Sequence, residues 1–240
     1  EEIRDLTFGL SGIYSVYVYD FNTQQEFGFE DSEKMQAASL IKLPVLGLMY
    51  KEAEAGRLAL STRYTLKEED KIGGSGSLIA KPAGTVVTYR QLAELMGQQS
   101  DNTAFGIMRS VLTDRSISDF ATQIEMQNTD IKENQTTARD VGIFFRKLWN
   151  KQIVSEENRD EILLYLTNTI YEDWIPKSLP EGTKVAHKYG REVHVINDAG
   201  IVYGDNPYVL VIMTDGIIDS EALEAFPQIV QKVHDRITGK

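Results

Sequence analysis

Along Ile13 to Phe21 (IYSVYVYDF) tyrosine and valine crowd together, a β-branched and aromatic run that predicts a strand. A polar turn at Asn22 to Gln25 leads to a second short strand at Glu26 to Phe29. From Leu40 the period changes: Leu43, Leu46, Gly47, Met49 and Tyr50 fit a buried helix that ends near Gly56. Pro44 fits that helix only within its first turns, so the helix must begin a few residues earlier. Further helices are predicted from Thr88 to Gly97, after Asp101, from Thr137, where Thr137-Ala138-Arg139-Asp140 resembles a capping box, and from Ser155 to Leu166. The pattern then returns to strands at Val193 to Tyr203 and Tyr208 to Thr214, separated by the turn Gly204-Asp205-Asn206-Pro207. An amphipathic helix from Ser220 to Ile237 closes the chain. This order predicts an α+β fold, with strands from both ends in one antiparallel sheet. The expected division is an α/β lobe of residues 1–42 and 181–240 and a helical lobe of residues 43–180, with the site in the cleft between them.

Composition narrows the partners. The 240 residues are 42% hydrophobic, enough for a substantial core, and carry a net charge of -11. Such an acidic surface repels phosphate backbones and anionic lipid, which argues against nucleic acid as a partner. No apolar run approaches the roughly 18 residues of a membrane span. The absence of cysteine excludes disulfides and a thiol nucleophile. The three histidines, His187, His194 and His234, lack metal-ligand spacing, so neither metal nor cofactor is expected.

Three short motifs carry the candidate chemistry. In Ser39-Leu40-Ile41-Lys42, a helix beginning at Ser39 would put hydroxyl and amine on one face, the amine placed to take the serine proton. Alone, the pattern reads more readily as a helix start followed by a surface lysine. Ser100-Asp101-Asn102 reads locally as a helix cap. Functionally, Ser100 would pass a proton to a leaving nitrogen and Asn102 would hold a substrate carbonyl. In Lys188-Tyr189-Gly190, on a strand, a cleft-facing Lys188 would attract a carboxylate and lower the pKa of Lys42, while Gly190 admits the substrate close to the backbone.

Order and spacing give these signals their weight: Ser39 and Ser100 are 61 apart (100 − 39), and Ser100 and Lys188 are 88 apart (188 − 100). S-x-x-K, S-D-N and K-T-G are the motif set of class A β-lactamases and penicillin-binding proteins. The chain resembles that superfamily over nearly its whole length. Ala37 to Pro44 looks like its nucleophile helix, Gly74-Ser75-Gly76-Ser77-Leu78 like the loop ahead of the second motif, and Val185 to Lys188 with Asn197 to Tyr203 like the hairpin bearing the third. The resemblance implies Ser39 as nucleophile, Lys42 as its base, Ser100 as proton relay, Lys188 as electrostatic partner, and the N–H groups of Ser39 and Arg191 as an oxyanion hole.

Two departures qualify it. Tyr189 stands where the family has a Thr or Ser whose hydroxyl binds the β-lactam carboxylate, and it is expected to fill or reshape that subsite. The family's Ω-loop, with its Glu-x-x-Leu-Asn pattern, is missing. Ile124 to Gln135 (IEMQNTDIKENQ) is shorter by about 15 residues, the size of a whole Ω-loop. Glu125 and Glu133 are the nearest carboxylates left. The expectation is therefore an exported serine hydrolase acting on β-lactams or related amides and esters, including peptidoglycan-type substrates, with weak β-lactam turnover. The alternatives are a D-alanyl peptidase, an esterase, or a non-catalytic module that binds cell-wall peptide.

Overall fold

The computed structural model describes residues 1–239. Seventeen helices and strands follow in order: α1 (Glu2–Thr7), β1 (Ile13–Asp20), β2 (Glu26–Phe29), β3 (Met35–Gln36), α2 (Lys42–Glu54), β4 (Arg63–Thr65), β5 (Val86–Thr88), α3 (Tyr89–Gln98), α4 (Asn102–Leu112), α5 (Asp114–Gln123), β6 (Gln135–Thr136), α6 (Ala138–Trp149), α7 (Glu156–Thr167), β7 (Val185–Glu192), β8 (Val195–Val202), β9 (Tyr208–Asp215) and α8 (Asp219–Thr238). Short 3-10 turns punctuate the chain, one of them at Ala38–Ile41.

The main sheet is antiparallel, in the order β2-β1-β9-β8-β7, so strands from both ends of the chain pair along β1 and β9. Alternate residues of β1 face opposite cores. Tyr14, Val16 and Val18 pack with Trp174, Phe226 and the apolar side of α8, whereas Tyr17 and Tyr19 join the large core shared with the helices. Helix α6 lies on that second face. Gly142 is its point of closest approach, because a Cβ there would stand 2.0 Å from the Tyr17 ring. No helix among the described residues is long and apolar enough to cross a membrane.

Several boundaries differ from the pattern. The expected strand Val193 to Tyr203 begins at Val195, because Val193 and His194 form the tight turn of the β7–β8 hairpin, with His194 at φ 60°. The α-helix of the first motif begins at Lys42, and Ser39 sits in the preceding 3-10 turn. Pro44 thus falls in the first turn of α2, where its missing N–H breaks no bond. The capping box at Thr137 is half closed. Thr137 Oγ1 accepts from the Asp140 N–H at 3.0 Å, but the Asp140 carboxylate turns to the Asn128 N–H (2.7 Å) and the Thr129 hydroxyl (2.9 Å). It anchors the loop ahead of α6 instead.

Candidate active site

Lys42 is the centre of the cleft. It is 2% exposed, and its Nζ lies 2.9 Å from Ser39 Oγ, 3.0 Å from Ser100 Oγ, 2.5 Å from the Ser100 carbonyl oxygen and 2.6 Å from Asn102 Oδ1. The Phe105 ring lies 5.7 Å from the same amine. Burial lowers the Lys42 pKa to about 8, against the opposing pull of Asp101 and Glu192.

The backbone around both serines is strained. Ala38, immediately before Ser39, has φ 48°, and Ser100 has φ 54°. A side chain in the left-handed region persists only where its surroundings enforce it, and such positions concentrate at working sites. Here the surroundings are visible. The buried Asn197 of β8 donates from Nδ2 to the carbonyls of Gln36 (2.9 Å) and Ala37 (3.2 Å), and its Oδ1 accepts from the Thr214 N–H at 2.9 Å. The Ala37 N–H donates to the Asn134 carbonyl, in the loop ahead of α6, at 2.8 Å. β3 pairs with β6 just before this point. Asn197 was not among the motif residues, although a polar residue inside the apolar run of β8 was its visible signal.

The second motif is held by the glycine loop. Asp101 caps α4, accepting from the Ala104 N–H at 2.8 Å, and its other oxygen accepts from the Leu78 N–H at 2.8 Å. Gly74 and Gly76 have φ of 100° and 103°, and a Cβ on them would stand 2.6 Å from Asn102 Nδ2 and 2.2 Å from Asp101 Cγ. Both positions require glycine twice over. Asn102 Nδ2 donates to the Gly73 carbonyl at 2.8 Å, so a substrate carbonyl would have to displace that bond.

The third motif runs along β7, an edge strand of the sheet. Gly190 abuts the first motif: a Cβ there would stand 3.0 Å from the Ser39 nitrogen. Lys188, 1% exposed, donates from Nζ to the Tyr189 carbonyl at 2.9 Å, which shows that carbonyl turned to the open edge. Residues two apart on a strand turn their backbone groups the same way, so the Arg191 N–H faces the same edge, beside Ser39. The Arg191 side chain points elsewhere and pairs with Asp219.

Burial lowers the Lys42 pKa, while Lys188 is pushed well below the ordinary lysine value by its own burial and by the Lys42 charge. Tyr189 turns away from Lys188, as alternation along a strand requires. It lies on the opposite face of β7, its ring centroid 5.3 Å from that of Tyr171 and 6.5 Å from that of Trp174.

Every part of this arrangement lies within one matched span. A family model described as the beta-lactamase enzyme family matches residues 1–237. The chain belongs to the beta-lactamase enzyme family. Among solved structures it is similar to PBP-A, at 25% identity and a TM-score of 0.93, covering 100% of this chain and 95% of that one. A beta-lactamase from Sphaerobacter thermophilus has 22% identity and a TM-score of 0.92, covering 99% and 96%. A PBP-A mutant, solved as an acyl-enzyme complex with penicillin G, has 23% identity and a TM-score of 0.90, covering 100% and 96%. No curated protein matches the chain in sequence. The beta-lactamase fold is thus present.

One buried ionic group stands behind β7. His187 Nδ1 lies 2.7 Å from Asp198 Oδ1, and Nε2 lies 3.3 Å from Thr169 Oγ1 and 3.5 Å from Glu172 Oε1. Gly200, opposite His187 in the register, leaves room for the ring. Burial opposes the imidazolium, but Asp198 and Glu172 outweigh it and raise the pKa to about 9 from 6.5. A raised folded-state value gives stability that is complete below pH 6.5 and lost as pH rises through 9, on the order of 3 kcal/mol in all. Urea denaturation of the wild type and His187→Gln should therefore show a stability difference that shrinks as pH climbs from 6.5 to 9. A difference constant over that range would mean that His187 is neutral throughout.

Proposed function

We propose that this family member is a serine hydrolase that works through an acyl-enzyme on Ser39, with β-lactams or related amides and esters as acyl donors. One observation carries the reading: the count of donors and acceptors at Lys42. Four acceptors surround its Nζ. Two of them, the Ser100 carbonyl and Asn102 Oδ1, can only accept, and they make the two shortest contacts. A neutral amine has two N–H groups and one lone pair. With both N–H groups taken by those oxygens, the lone pair is left for a serine hydroxyl, the arrangement a base needs.

The reaction follows from it. Ser39 Oγ attacks the carbonyl carbon, and the Ser39 proton passes to Lys42. The Ser39 and Arg191 N–H groups stabilise the oxyanion. Collapse breaks the C–N or C–O bond, and the proton reaches the leaving atom through Ser100. The product is an ester on Ser39 and a protonated leaving group.

The test is intact-protein mass spectrometry after incubation with a panel of β-lactams and a fluorophosphonate. A mass increase mapped to Ser39 supports the reading, and no adduct from any probe overturns it in favour of a non-catalytic peptide-binding module. Acylation by the wild type should accelerate as pH rises through about 8, where Lys42 loses its proton. Lys42→Ala should lower the acylation rate by about 10²-fold or more and abolish that rise. A variant that keeps the wild-type rate and pH profile would remove Lys42 from the role of base.

A further inference from the structure

The open edge of β7 is where an acyl donor must lie, since Gly190 and the outward Arg191 N–H flank Ser39 there. The chemistry of that edge differs from what a carboxylate-bearing substrate needs. All three basic side chains of the motifs are committed. Lys42 serves Ser39, Ser100 and Asn102; Lys188 is buried against the Tyr189 carbonyl; Arg191 is paired with Asp219. The acid at the end of the strand is freer. Glu192 ends β7, is exposed, and is close enough to Lys42 to act on its charge.

The second element is aromatic. Tyr171 and Tyr189, both partly exposed, stack at 5.3 Å, and Trp174 supports Tyr189 from behind. The ledge has no short hydroxyl to offer an anion at position 189. It offers flat apolar area to a group laid along the strand. A carboxylate placed there would lose water, meet the carboxylate of Glu192 and find the motif cations already partnered.

We propose that the site selects acyl donors whose leaving-group side carries no free carboxylate, such as an internal or amidated peptide bond or an uncharged ester, with an apolar group resting on Tyr171 and Tyr189. This rests on the acyl-enzyme reading, and the experiment separates the two. Acylation rate constants of the wild type would be measured by intact mass for penicillin G and for its methyl ester. Each is divided by the rate at which neutral hydroxylamine opens the same compound, which removes intrinsic reactivity. The ester is expected to be preferred by about tenfold or more, the scale of a like-charge mismatch partly screened by water. Tyr189→Thr should move the ratio several-fold toward the acid, and if that variant fails to fold the wild-type ratio still decides. Equal or faster acylation by the acid, or acylation by neither compound while a fluorophosphonate labels Ser39, overturns the inference alone. Failure of the fluorophosphonate to label Ser39 overturns the acyl-enzyme reading and this inference with it.

Discussion

Ser39→Ala is expected to abolish covalent labelling by penicillin and fluorophosphonate probes while leaving the fold unchanged. Two serines touch Lys42, and the structure separates them. Ser100 is 2% exposed and its carbonyl is bound to the lysine, whereas Ser39 is partly exposed and its N–H lies against Gly190 at the open edge of β7. Only an acyl group on Ser39 could place its oxygen between two backbone donors. The variant should fold because the loss is small. The hydroxyl is partly solvated, and Lys42 keeps Ser100 and Asn102 as partners. Circular dichroism and thermal melting check the fold, and intact mass checks the adduct. A labelled Ser39→Ala protein with the adduct on Ser100 would exchange the roles of the two serines.

Much of this arrangement was legible because motifs constrain short range and topology does the rest. The strand pattern at Ile13 to Phe21 and at Tyr208 to Thr214 is periodic enough to put both chain ends in one sheet, and they pair there along eight residues. Short pieces escaped: α1 and the β4–β5 ribbon are too brief to show a period or an apolar run. At the site, the meeting of Ser39, Lys42, Ser100 and Asn102 could be expected from order and spacing. Backbone strain at Ala38 could not, because alanine in the left-handed region is imposed by Asn197, which lies about 160 residues away and acts only after the sheet has formed. The facing of Tyr189 could have been deduced from strand alternation, given that Lys188 faces the cleft. Its stacking partners, Tyr171 and Trp174, belong to a loop with no such pattern.

The second large effect concerns the fate of the adduct. Penicillin bound to Ser39 is expected to persist, with steady-state hydrolysis far below about 10 s⁻¹, the middle of the enzyme range. In the proposed reaction, acylation draws on Lys42, Ser100 and the edge of β7. Deacylation also needs a carboxylate or equivalent base over a water on the far side of the acyl carbonyl. Glu125 is not in position for it. Its carboxylate pairs with Lys147 at 2.9 Å, near the C-terminal end of α6, whereas the Ser39 segment meets the chain just before α6 begins. Glu133 occupies the exposed tip of a tight turn in which Asp130 and Gln135 pair and Asp130 Oδ1 accepts from the Glu133 N–H at 3.1 Å. Asp140 is spent on holding that loop. Loss of a general base slows the step it serves by about 10²- to 10⁴-fold, so the adduct should outlast its formation by a wide margin. Time-resolved intact mass spectrometry after removal of free penicillin measures its decay directly. Rapid decay, with turnover at about 10 s⁻¹ or above, would mean that another group activates the water. Glu133→Gln would be the first variant to examine, because Glu133 adjoins Asn134, whose carbonyl holds the Ala37 N–H two residues from the nucleophile.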